Sequence, residues 1–132
     1  MRVLLDANVL FSASSAGSNI ARLIDWVVRD ATAVTSDLAC EEARRNLELK
    51  RQAWLPEFDR LVTRIELVPS AQFDLPVDLD PGDQPLLCAA IRSGCTHLAT
   101  GDRRDFGHRF GRVVEGVEVI PLVRLAELMA AR

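Results

Sequence analysis

Residues 2–8 read RVLLDAN, a short apolar run closed by an aspartate. Val3, Leu4 and Leu5 are contiguous rather than alternating, the pattern of a strand buried on both faces, as in a parallel sheet covered by helices. Asp6 then stands directly after the strand. Beyond the small-residue stretch SASSAGS, Ser18 is suited to cap a helix in which Ile20, Leu23, Ile24, Val27 and Val28 repeat at helical spacing. Ala33 to Thr35 reads as a brief strand, and Ser36 can cap a second helix through SDLACEEARRNLELK. Trp54 and Pro56 mark a break before another helical segment carrying Phe58, Leu61, Val62 and Ile65. Glu66 to Val68 predicts a short strand, followed by the proline-rich acidic loop PSAQFDLPVDLDPGDQP. From Asp83 a helix tolerates Pro85 in its first turn and stops at Gly94. His97 to Thr100 and Val117 to Ile120 are the remaining strands, and Pro121 opens a final helix with Leu122, Leu125, Leu128 and Met129.

Strands alternating with helices predict an α/β fold: a three-layer α/β/α sandwich with a mostly parallel central sheet and right-handed crossovers. The 132 residues, 48% of them hydrophobic, are expected to form a single domain over 1–132 with its own core. The apolar runs fall far short of the roughly 20 residues that cross a bilayer. No membrane span or secretory signal is therefore expected, and the chain is placed in the cytoplasm. Cys40, Cys88 and Cys95 form no CxxC pair and read as reduced, buried thiols. With only His97 and His108 beside them, they do not make a zinc site. A net charge of -3 argues against coating nucleic acid by bulk charge, while arginine supplies every cation except Lys50.

In an open parallel sheet, ligand chemistry gathers beyond the carboxyl ends of the strands, where the strand order reverses. Asp6 follows the first strand and Asp102 follows the strand HLAT, so both are expected at one edge. Asp83, opening the helix that leads into HLAT, starts at that same edge. On the second helix the inward direction is taken from Leu38, Ala39, Ala43 and Leu47. Glu41 falls about opposite it and Glu42 roughly 80° away, which favours Glu42. Asp105 reaches the pocket if its loop turns back. Like charges about 4 Å apart repel by about 4 kcal/mol per pair at an effective dielectric near 20. A hard divalent cation, Mg2+ or Mn2+, neutralises such a set best, and such ions serve phosphodiester hydrolysis. Arg103, Arg104, Arg109 and Arg112 flank the acidic loop, where they are either solvated or phosphate contacts.

Four motifs in order then resemble the PIN-domain ribonucleases, many of which are toxins of prokaryotic toxin–antitoxin pairs. They are LLDANVLFSA with Asp6 and Asn8, EEARRNL with Glu42, DPGDQPLLCAA with Asp83 preferred to Asp80, and HLATGDRRDFG with Thr100, Asp102 and Asp105. The resemblance covers nearly the whole chain and implies a Mg2+- or Mn2+-dependent endoribonuclease. It implies metal binding and catalysis by Asp6, Glu42, Asp83, Asp102 and Asp105, and substrate binding at Asn8 and Thr100 beside Arg103 and Arg104. The partners it implies are an RNA substrate and an antitoxin protein. Trp26 and Trp54 read as core or interface anchors, and a homodimer is the expected assembly. Two other functions fit less well. Phosphoryl transfer through an aspartyl intermediate would make Asp6 the nucleophile, but it needs a lysine near the phosphate, and Lys50 lies far along the second helix. A non-catalytic PIN-like module that binds RNA or protein would not need the acidic set.

Overall fold

In the computed structural model, which describes residues 1–76, 83–101 and 106–132, β1 (Arg2–Leu5) lies inside a six-stranded sheet. Val3, Leu4 and Leu5 have no exposed surface, as their unbroken apolar run requires. Around β1 the order is β3-β2-β1-β4-β6-β5, with β2 Thr32–Ser36, β3 Glu66–Val68, β4 His97–Ala99, β5 Val113–Val114 and β6 Val117–Ile120. The pairs β1–β2, β1–β4, β2–β3 and β4–β6 are parallel, and β5 joins β6 antiparallel. Val3 stands between Ala33 and His97, and Leu4 between Val34 and Leu98. The chain builds outward from β1 through β2 to β3, then returns to place β4 on the other side of β1. That reversal puts the switch point at the carboxyl ends of β1 and β4.

The described helices are α1 (Ala7–Ala13), α2 (Asn19–Asp30), α3 (Asp37–Lys50), α4 (Leu55–Val62), α5 (Gln84–Arg92) and α6 (Leu122–Ala130). With the helices they make the expected α/β sandwich around a mostly parallel sheet. None of the described helices is long and apolar enough to cross a membrane. Ser18 and Ser36 are the caps the sequence suggests: their hydroxyls accept from Ala21 and Ala39 N–H, each at 3.1 Å. Of the cysteines, Cys88 and Cys95 are buried, Cys40 is half-buried, and all three are free thiols.

Two elements and the facing of one residue differ from the sequence expectation. Residues 7–13 form α1 rather than a connection, because Asp6 caps them and Val9, Leu10 and Ala13 bury one face. Val113–Val114 adds an edge strand through a two-residue hairpin at Glu115 (φ 50°) and Gly116 (φ 86°). Positive φ at both positions matches the twist of paired strands, and glycine carries it without strain at the second. Leu38, taken as inward-facing, is 50% exposed, since α3 buries only the stripe Ala39, Ala43 and Leu47.

Ser36 ends β2 and caps the helix that carries Glu42, so Ser36→Ala is expected to lower stability by about 1 kcal/mol, read from the shift of the urea midpoint.

Candidate active site

Asp6 leaves β1 at the switch point and turns the chain into α1. Its backbone N–H donates to Ala99 O on β4 at 3.1 Å, which ties it to the neighbouring strand end. The residue is 9% exposed, and a carboxylate so covered needs donors. Ala7 N–H donates to Oδ1 at 2.7 Å, and the Thr100 hydroxyl donates to Oδ2 at 2.7 Å. Asn8 Nδ2 lies 3.3 Å from Asp6 Oδ2 and 3.4 Å from Thr100 Oγ1. The other end of that amide, Asn8 Oδ1, accepts from Gly101 N–H at 2.9 Å. A Cβ on residue 101 would lie 3.3 Å from this oxygen, so glycine permits the close approach. Thr100, expected at the substrate, is fully buried beneath Asp6, and its hydroxyl orients that carboxylate. Asn8 is exposed, yet both ends of its amide are engaged.

The second acid comes from α3. Burial of Ala39, Ala43 and Leu47 against the core leaves Glu41 and Glu42 exposed. The third, Asp83, is half-buried at the N-cap of α5, a helix held by buried Leu86 to Ala90. Asp6, Glu42 and Asp83 line both arms of a cleft. One arm, of about 230 Å³, continues past Glu41 and Arg45 to Pro85 and Leu86. The other, of about 350 Å³, runs between α1 and α3 past Phe11, Ser12 and Asn46 to Lys50. Glu42 thus reaches both arms and Glu41 only one, in keeping with their rotation about the helix axis. Three carboxylates share this wall, although among the described residues no three His, Cys, Asp or Glu side chains stand close enough to hold one metal ion as placed. The carboxylates that the two arms share match the oxygen preference of Mg2+ or Mn2+. Asp80, Asp102, Arg103, Arg104 and Asp105 lie outside the described residues.

A further device joins the elements carrying Glu42 and Asp83. Asp37, in the first turn of α3, accepts at Oδ1 from the Ser70 hydroxyl, from Ser70 N–H at 3.0 Å and from Leu38 N–H at 2.7 Å. The Ser70 hydroxyl is the chief reason its carboxyl titrates below the usual 3.8. Beyond Ser70, Gln72 Nε2 donates to Gln84 Oε1 at 3.0 Å, and Cys88 Sγ donates to Phe73 O at 3.4 Å, fastening the same loop to α5. Sequence reasoning missed this tether, and no local periodicity announces it. It also placed Lys50 too far along the second helix to serve the site. The spacing 42, 46, 50 along one helix face was the available signal.

A family profile described as PIN domain matches residues 2–104. The chain belongs to the PIN-domain family. No curated protein matches the sequence. Among solved structures, this PIN domain is similar to VapBC2 from Rickettsia felis bound to a DNA fragment from their promoter. That match has a TM-score of 0.68 and 13% identity, covering 92% of this chain and 98% of the other. PAE2754 from Pyrobaculum aerophilum gives a TM-score of 0.69 and 20% identity, over 100% of this chain and 91% of the other. The PilT N-terminus domain protein SSO1118 from Sulfolobus solfataricus P2 gives 0.58 and 13%, over 100% and 96%. At these identities the likeness is one of fold.

Asn8→Ala is expected to lower stability by about 1 kcal/mol and to speed amide hydrogen exchange at Gly101, read by NMR. Ser70→Ala lets the Asp37 carboxyl rise toward its unfolded value. A depressed carboxyl stabilises above its unfolded pKa and loses that contribution as pH falls through the folded pKa. Wild type is therefore expected to exceed Ser70→Ala in stability at pH 7, with the pH-dependent part of the gap closing in the acid range below 3.8, as urea titrations at stepped pH would record.

Proposed function

We propose that this PIN domain is a Mg2+- or Mn2+-dependent endoribonuclease that hydrolyses RNA phosphodiester bonds. The observation that carries the reading is the sharing of one cleft by Asp6, Glu42 and Asp83, which come from three separate segments around the sheet's switch point. These three, with Asp102 and Asp105 from the acidic loop, are the residues that would hold the metal. When bound, the metal supplies Lewis acidity toward the phosphoryl group and lowers the pKa of water.

The chain's own contribution is preorganisation. Ala7 N–H and the Thr100 hydroxyl hold both oxygens of Asp6, so that this carboxylate does not reorient when charge arrives. Glu42 projects from a helix packed by Ala43 and Leu47, and Asp83 stands at the start of α5, so each sits on a rigid element. Asn8 fastens the first residue of the acidic loop, Gly101, to this frame. Arg103 and Arg104 would meet the phosphate backbone there.

Family membership, and the shared fold with VapBC2, support a further reading: the chain is the toxin of a toxin–antitoxin pair in the cytoplasm, with an antitoxin protein as partner and a homodimer as its assembly.

Asp6→Asn is expected to reduce Mn2+-dependent cleavage of an RNA panel by at least about a thousandfold while leaving the circular dichroism spectrum unchanged. An Asp6→Asn protein that cleaves like wild type sinks the mechanism. A wild-type protein that binds RNA and cuts none of the panel with either metal is instead a binding module.

A further inference from the structure

A phosphodiester strand carries negative charge, and the carboxylates of Asp6, Glu42 and Asp83, with Glu41 in the first arm, repel it. Binding beside them therefore requires positive charge close by. The two arms of the cleft each provide one cation: Arg45 lines the first and Lys50 the second, with Asp6, Glu42 and Asp83 between them. Both project from α3, where Glu42, Arg45, Asn46 and Lys50 fall on one side at helical spacing. Lys50 lies eight residues, about 12 Å along the axis, from Glu42.

Elsewhere on the surface several arginines are paired with acids, though among the described residues Arg29, Arg92 and Arg112 are not. Arg44 is 2.7 Å from Asp59, Arg64 is 2.6 Å from Asp25, and Arg2 is 2.5 Å from Glu66. Among the described residues, Arg45 and Lys50 enter no ion pair of this kind. What sets these two apart is their place: they line the cleft beside Asp6, Glu42 and Asp83, where an anion from outside would meet them. The second arm also has an apolar wall in half-buried Phe11, whose ring is tilted 58° against Trp54 at 5.6 Å, and polar groups in Ser12 and Asn46. Its volume of about 350 Å³ is that of a recess for one small ligand unit, such as a nucleotide, between two helices.

We propose that this cleft binds a single RNA strand laid across the acids, with Lys50 contacting a phosphate on one side, Arg45 a phosphate on the other, and Phe11 covering a sugar or base. The proposal deepens the nuclease reading and rests on it for the placement of the scissile bond. It assigns a substrate subsite to α3, apart from the arginines of the acidic loop.

The test is fluorescence anisotropy of a short labelled single-stranded RNA in EDTA, over a range of salt concentrations. Lys50→Ala and Arg45→Ala are each expected to weaken binding about tenfold and to lower the slope of log Kd against log salt by about 0.7. Lys50→Arg is expected to restore affinity, and circular dichroism melting to remain at the wild-type value throughout. Wild-type affinity and slope in both alanine variants overturn the proposal, as does tighter binding of an RNA duplex than of the single strand. Loss of cleavage in Asp6→Asn, together with normal RNA binding by the alanine variants, removes the subsite and leaves the nuclease reading standing. Lys50-dependent binding by a protein that cleaves nothing removes the nuclease reading and leaves the subsite.

Discussion

The parallel pairing of β1 with β4 carries the rest of the structure, because parallel neighbours end on the same side of a sheet. Leu5 pairs with Ala99, and Asp6 N–H closes the ladder on Ala99 O. The two chain segments that follow, Asp6 to Asn8 and Thr100 to Gly101, must therefore leave the sheet side by side. A one-residue slip of β1 would be resisted twice over. It would move the faces of three wholly buried residues and draw Asp6 toward the core, where a carboxylate without donors is costly. The boundary between apolar run and charge thus sets the register and the location of the cleft together.

Around that boundary, backbone geometry and side-chain chemistry have separate tasks. The helix start at Ala7 supplies an N–H to Asp6, and Thr100 supplies a hydroxyl from beneath, so the most covered acid is also the best oriented. Glu42 is exposed and Asp83 half-buried, each brought to the wall by the packing of its helix. The Asp37–Ser70 contact and the Gln72–Gln84 hydrogen bond connect those two helices through residues 70–72. The cleft is consequently assembled by helices packed on the apolar core and fastened by hydrogen bonds between loops and helix ends.

Much of this was legible from sequence where the signal is local. The capping serines at 18 and 36 and the strands Glu66–Val68 and Val117–Ile120 are where their patterns placed them. The first helix was not legible, because seven residues offer too few turns for a periodicity to stand out from a small-residue stretch. The edge strand was hidden for a related reason: a two-residue strand has no alternation, and Glu115–Gly116 is a weaker hairpin signal than Asn–Gly. Leu38 misled because hydrophobicity reports what a side chain prefers, and α3 has only one narrow buried face.

Local residue order alone specifies the alternation of strands and helices and the apolar run that ends at Asp6, since each depends on residues within a turn or two of one another. Tertiary structure alone decided that Asn8 would hold Gly101, 93 residues away, that Thr100 would lie under Asp6 out of reach of solvent, and that Arg45 and Lys50 would flank the carboxylates. Those relations depend on strand order and on how helices pack across the sheet. The physical reason is that local spacing carries no information about which distant segment will be its neighbour until the core has closed.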